Sequence, residues 1–314
     1  GSLRFVTRRE DAVARDNLLT MGFSPDACFP VIFAEYGAYG LQVAAKLDEG
    51  RDALTLLKLY GGCAANAVSD KCTAVLRGDR ARLQEVAASF AAFAAAHEMH
   101  QETAQEGDTL TLTLHGKIAH ASVPWCGVNA NCYLLEFLGG VVPASPFVRG
   151  YNELIGTDYY GGKCGVKCED AYGPLSLCNG TIEFDETTGC STADLDIRFP
   201  VTVDFDRDYA PGLVRRFEDA GFRTTYTGTD RAVYVDPESD FIKALHSAYV
   251  EATGDTAHKP QQISGGTYAK SFNNCVAYGI VPPDEPDPAH LADESITTKH
   301  IEMALKVFVA ALQK

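Results

Sequence analysis

Long apolar runs are missing from this 314-residue sequence. Its most apolar stretch, residues 86–96, is about 11 residues long, short of the ~20 that a bilayer-crossing helix needs, so no membrane partner is expected. Positive charge is scarce too: 27 Lys and Arg stand against 42 Asp and Glu, a net charge of −15. That balance excludes the basic footprint of a nucleic-acid binder. No signal-peptide pattern opens the chain, which reads as cytoplasmic. The ten cysteines form neither a CxxC motif nor a zinc-ribbon spacing, Cys164 and Cys168 being the closest pair. Reduced, mostly buried thiols are expected. Histidine is absent before His97, and the chain opens on Gly1-Ser2 rather than Met, which reads as a tag-cleavage scar with the natural protein beginning upstream.

What is present describes a folded protein: 46% hydrophobic and 22% charged residues over a length that suits two domains. Residues 3–6 read as a short strand. Residues 53–60 and 73–77 read as strands ahead of a helix that Asp79 can cap, with Leu83, Val86, Phe90 and Phe93 at helical spacing. In residues 109–114, Thr and Leu alternate, placing Leu110, Leu112 and Leu114 on one buried strand face. A helix over 130–138 follows. A similar order recurs: strands at 181–184 and 194–199, a helix near 209–220, a strand at 231–235. Residues 35–230 therefore read as two related α+β halves. Beyond them come a helix closed by Gly254, a continuous apolar run over 275–281 suited to a buried parallel strand, and a final helix from Ser295 with Ile301, Leu305, Phe308 and Leu312 on one face. These are pieces of an open α/β sheet whose other strands must come from elsewhere, the first 30 residues being one source.

Several residues are placed to carry chemistry. Asp26 lies between Pro25 and Pro30 on a loop whose backbone is restricted. His290 follows the apolar run of 275–281, at the carboxyl edge where α/β ligand sites form, with Asp293 and Glu294 able to orient it. Gly265 and Gly266 form a turn whose backbone amides could face an anion. His120 stands just past a strand and Arg198 inside one. Taken singly, each also fits an ordinary role: an Asx turn at Asp26, a surface histidine at 290, a core-edge histidine at 120, a solvated strand arginine at 198.

Taken in order, the segments GFSPDACFP, HGKIAHASVP with GVNAN, LDIRFP, ISGGTYAK and PAHLADE resemble the aminoacylase/carboxypeptidase-type zinc metallopeptidases, in particular the bacterial dipeptidases acting on Xaa-His and other dipeptides. The resemblance implies an α/β fold: a zinc-peptidase open-sheet domain, here incomplete, in residues 1–34 and 231–314, and an inserted lid of two ferredoxin-like α+β halves in 35–230. It implies hydrolysis of dipeptides with two zinc ions as cofactors. Asp26 would be a ligand of one zinc and His290 of the other. His120 would stabilise the oxyanion, Arg198 would hold the substrate carboxylate bidentately, and Asn131 with the Gly265-Gly266 turn would complete the pocket.

The family also carries a His-x-Asp motif, a bridging Asp and a Glu-Glu pair ahead of the segment matched by GFSPDA, where this chain has about 20 residues. Glu10 takes the general-base position there and Asp11 that of a ligand. Each zinc is left with one or two ligands where a catalytic zinc has three. The expectation is an incomplete chain, monomeric or homodimeric, with low zinc occupancy and no catalysis alone. Two alternatives stand beside it: a non-catalytic relative that binds peptides or a partner, and a deacylase of N-acyl amino acids.

Overall fold

A computed structural model describes residues 21–47, 53–285 and 295–314. In chain order, β1 (Gly22–Ser24), β2 (Ile32–Glu35), β3 (Gly37–Lys46), β4 (Thr55–Gly61) and β5 (Lys71–Arg77) precede helix α1 (Arg80–Ala96). Strands β6 (Gln101–Glu106) and β7 (Thr109–His115) lead to α2 (Ala130–Val141) and α3 (Pro146–Leu154), then to β8 (Glu169–Asp170), β9 (Gly173–Pro174), β10 (Ser176–Asp185) and β11 (Cys190–Phe199). Helices α4 (Phe205–Asp208) and α5 (Ala210–Asp219) are followed by β12 (Arg223–Asp230), β13 (Val233–Tyr234), α6 (Asp240–Thr253), β14 (Gln261–Ile263), β15 (Cys275–Ala277) and α7 (Thr298–Ala311). The architecture is mixed α/β with open sheets.

The chain divides into two compact units, one made of Ala38–Thr229 and the other of the chain on either side of it. The first is built on an open eight-stranded sheet in the order β12-β3-β11-β10-β4-β5-β7-β6. A strand–strand–helix–strand run occurs twice along it, as β4-β5-α1-β6 and as β10-β11-α5-β12. Where β10 meets β4, Ile182 lies opposite Gly61. Helix α1 starts as its sequence dictates: the Asp79 carboxylate accepts the Arg82 amide at 3.0 Å. It buries Leu83, Val86 and Phe90, and Leu110, Leu112 and Leu114 of β7 are buried as their alternation requires. Phe137 of α2 joins this core, its ring 5.0 Å from that of Phe90.

The second unit carries a sheet in the order β1-β15-β2-β13, with β14 beside β2. Strands β1 and β15 run parallel, as do β14 and β2, while β15 and β2 are antiparallel. The strands missing from the carboxyl-terminal pieces thus include two from residues 22–35. The apolar run at 275–281 yields only the three-residue β15, extended by a bridge between Cys28 and Val281. Gly254 closes α6 in the left-handed conformation, φ 77°.

Other expectations are corrected. The strand expected at 231–235 is the two-residue β13, and the eight-residue strand before it, β12, is exposed along most of its length, so no apolar alternation announced it. Strand β3 and helix α3 also lacked a reading. The final helix begins at Thr298 behind a Thr297 cap and buries Ala304 and Val307, leaving Ile301, Leu305 and Leu312 exposed. Phe308 turns inward instead, its ring stacked 5.7 Å from that of Phe23. All ten cysteines are free thiols, and five are buried: Cys72, Cys132, Cys164, Cys178 and Cys275. Burial pushes the Cys132 and Cys164 thiols up to about 12, which keeps them unreactive.

The β4–β10 junction depends on glycine. Gly62 adopts φ +77°, and a side chain on Gly180 would overlap the carbonyl oxygens of Ala64 and Ala65. Backbone cannot yield as a flexible side chain can. Gly180→Ala is therefore expected to cost about 1–3 kcal/mol or more in urea unfolding. Gly140→Ala, at a helical glycine with no atom of the described residues within 4 Å of the added carbon, should instead stabilise by up to about 1 kcal/mol.

Candidate functional site

In the unit that carries β1, β2 and β15, two carboxylates gather around the glycine turn. Asp26 follows β1; its Oδ1 accepts the Ala27 amide at 2.9 Å and its Oδ2 the Tyr268 amide at 3.3 Å. Ala27 itself sits at φ 68°, so the loop holds the carboxylate by a strained backbone as well as by two donors. Glu35 ends β2 and is fully buried. Its Oε1 accepts the Thr267 hydroxyl at 2.6 Å and its Oε2 the Thr267 amide at 2.8 Å. Burial raises the Glu35 pKa, Asp26 adds to the rise, and the Thr267 bonds and Lys270 oppose it.

Lys270 is buried nearby, its ammonium donating to the Tyr36 carbonyl at 2.6 Å and pairing with Asp230 at 3.2 Å. Gly266 lies under this side chain, where an added carbon would come within 2.8 Å of Lys270 Cε. The amides of Thr267 and Tyr268, directly after Gly265-Gly266, thus serve the protein's own carboxylates. Glu35 escaped sequence reasoning, although a lone carboxylate ending the apolar run Val31-Ile32-Phe33-Ala34 was a signal that it needed internal partners.

Of the expected zinc ligands only Asp26 is within the described residues; His290 and Asp11 lie outside them, as does Glu10, the expected general base. Among the described residues, no three His, Cys, Asp or Glu side chains converge at Asp26. The described residues do not by themselves fit a zinc site there.

The sheet unit holds the other candidates. His120 is half-buried, and its Nδ1 accepts the Ser122 amide at 3.2 Å with the Ser122 hydroxyl at 2.8 Å. A backbone amide can only donate, so the neutral ring carries its proton on Nε2 and presents a donor there. The loop is pinned by the Val68 amide on the Ala119 carbonyl and the Ala121 amide on the Asn66 carbonyl, both 2.9 Å.

Arg198 faces away from buried Ile197 and Phe199, as strand alternation requires. Its Nε and Nη2 form a two-bond fork with Asp196, 2.6 and 2.8 Å, and both side chains are largely covered, at 12% and 14% exposure. A substrate carboxylate held in a fork has to meet another edge of the guanidinium or displace Asp196. Asn131 is fully buried at the start of α2; its amide donates to Asn179 Oδ1 at 3.2 Å, and its own Oδ1 has no hydrogen-bond partner among the described residues.

Removing the Glu35 carboxylate tests how the glycine turn is held. Glu35→Ala deprives both Thr267 donors of a charged acceptor, and urea unfolding should show a loss of about 1.5–3 kcal/mol per such bond at most. The sign of its pH effect is also fixed. Because the folded-state pKa lies above 4.5, the folded state holds this proton more tightly, and the Glu35 contribution falls as pH rises from 4.5 through the raised value. A parent-minus-Glu35→Gln stability difference that grows with pH over that range would contradict this.

No family model matches the chain. It is 28% identical over 304 residues to a putative dipeptidase of Staphylococcus haemolyticus and 29% identical over 304 residues to one of Staphylococcus epidermidis. Each alignment covers 95% of this chain and 64% of the relative, so the chain spans just under two thirds of their length. Among solved structures, an aminoacylhistidine dipeptidase from Vibrio alginolyticus matches over 92% of this chain and 63% of that one, with 15% identity and a TM-score of 0.43. Human carnosine dipeptidase 1 matches over 97% and 62%, with 12% identity and a TM-score of 0.46. Along nearly all of its length, the chain is thus similar in sequence to putative dipeptidases.

Proposed function

We propose that this chain acts in metal-dependent hydrolysis of dipeptides, with zinc as the metal and a free substrate carboxylate as a recognition element. The observation that carries the reading is Asp26, a carboxylate fixed by two backbone amides beside the Gly265-Gly266 turn, in a sequence that aligns along 95% of its length with putative dipeptidases. In this reading Asp26 and His290 hold metal, and Glu10 is the general base. A paired-metal centre supplies an activated water and polarises the peptide carbonyl. The ligands still required beyond Asp26 come from outside the described residues.

The roles of the chain's own residues follow from their chemistry. His120 presents Nε2–H as a donor to the oxygen that gains charge during attack, with Nδ1 anchored by Ser122 so that the tautomer is fixed. Arg198, held rigid by Asp196, takes the substrate carboxylate. Asn131 acts by tying the start of α2 to β10 through Asn179, and Gly266 lets the chain pass close under Lys270.

Incubation with zinc and a panel of free and carboxyl-amidated dipeptides, with release of amino groups as the readout, tests the proposal. Hydrolysis confined to dipeptides with a free carboxylate supports it; equal rates on both would sink the Arg198 role. Peptide binding without turnover would favour the non-catalytic alternative only where zinc is shown bound in the same sample. Arg198→Lys should raise KM by about tenfold or more, because lysine cannot reproduce a planar two-bond fork, and should also lower the urea midpoint, because the covered Asp196 loses that same fork.

A further inference from the structure

At the edge of the eight-stranded sheet, where β6 pairs with β7, three side chains with metal-ligand chemistry meet. Strands β6 and β7 are antiparallel with Gln101 opposite Leu114 and Glu102 opposite Thr113. One step beyond this register, the His115 amide donates to the His100 carbonyl at 2.9 Å, so the two histidines face one another. Their rings lie 4.9 Å apart. Glu102 of β6 is two residues from His100, which lies just ahead of that strand and pairs through its carbonyl with His115, so the two side chains share a face. Its Oε1 lies 3.0 Å from His115 Nε2. One ligand atom from each of the three falls within 4.8 Å of the others.

We propose that His100, Glu102 and His115 bind a divalent transition metal, zinc being the best match to the donor set. Two imidazoles and one carboxylate are a zinc-binding combination that leaves a fourth position for water. Ligands around a tetrahedral zinc with bonds of about 2.0–2.2 Å sit roughly 3.3–3.5 Å apart, so the existing 3.0 Å His115–Glu102 contact needs to open only slightly. The position is accessible: His100 and Glu102 are exposed and His115 is half-buried, on a terminal strand that gives an ion a path from solvent. An ordinary ion pair explains the set less well. A surface His–Glu pair contributes little, and it gives no account of a second imidazole brought against the first.

A metal here would tie β6 to β7 by coordination, in addition to their backbone ladder, and would strengthen a sheet edge that is otherwise held on one side only. This site lies in a different unit from Asp26 and needs none of the dipeptidase ligands. Its test therefore reads out binding and stability rather than hydrolysis.

The full chain is titrated with zinc chloride by calorimetry, alongside H100A, H115A and E102Q, with circular dichroism to confirm that each variant is folded. The parent should bind one more zinc equivalent than H100A or H115A and lose that equivalent's thermal stabilisation in both. E102Q should weaken the site by about tenfold or more, since even indirect partners of metal ligands cost that much. As a check that needs no variant, substoichiometric Cu²⁺ should broaden the imidazole signals of His100 and His115 among the eight histidines. Identical zinc stoichiometry and affinity in parent and variants, or Cu²⁺ broadening that spares both rings, would overturn the proposal.

Discussion

Asn179 is the residue on which the sheet unit turns. Its Oδ1 accepts from Asn131 Nδ2 at 3.2 Å and from the Tyr151 hydroxyl at 3.0 Å. Its Nδ2 donates to the carbonyls of Thr181 and Asp194, 2.8 and 3.0 Å, and its own carbonyl accepts from Asn129 at 2.8 Å. One side chain thereby joins α2, α3, β10 and β11 with its own oxygen and nitrogen both bonded. Such a buried network specifies a single arrangement, because any sliding of β10 against α2 would strand several polar groups at once. It also explains the glycine that follows. The register of β10 on β11 shifts between Asn179 and Thr181, and Gly180 fills the irregularity where the backbone of Ala64 and Ala65 presses against it.

The second unit is organised by an analogous device of opposite polarity. Glu35 at the end of β2 is bonded at both oxygens by Thr267, and Asp26 takes the next amide. Two acidic groups compete for one turn's donors, with Lys270 buried beside them. The arrangement costs desolvation and gives in return a turn with one permitted shape. The carboxylates are thus placed by backbone geometry more than by side-chain packing.

How much of this was legible in the sequence depended on the kind of signal. Residues whose position follows from periodicity were readable: Leu110, Leu112 and Leu114 are buried together, Asp79 caps its helix, and Arg198 lies opposite Ile197 and Phe199. Elements defined by distant partners were not. The strand expected at 181–184 is the ten-residue β10, in which Asn179-Gly180 forms an internal irregularity of a continuous strand. The final helix shows the same limit, since its most apolar stripe and its buried face differ, and only the position of Phe23 and Tyr278 reveals that Phe308 is the inward residue. Within the candidate site, Asp26 was found from its prolines, while the partner that takes Arg198, Asp196, sat two residues away and unremarked. Local spacing told which residues share a face, but not which of them would already be engaged to each other.

The chain has a single tryptophan, and its place has a practical consequence. Trp125 lies in the short turn Pro124–Cys126, five residues beyond His120, partly exposed and stacked on Tyr160 with the rings 5.4 Å apart and 13° from parallel. All indole emission from this protein therefore originates beside the loop that carries His120. Quenchers in solution reach it directly, and a molecule settling against that loop alters the polarity around the indole. The fold contains a built-in optical reporter at one chosen place, so occupancy of this loop can be followed by light without attaching a dye.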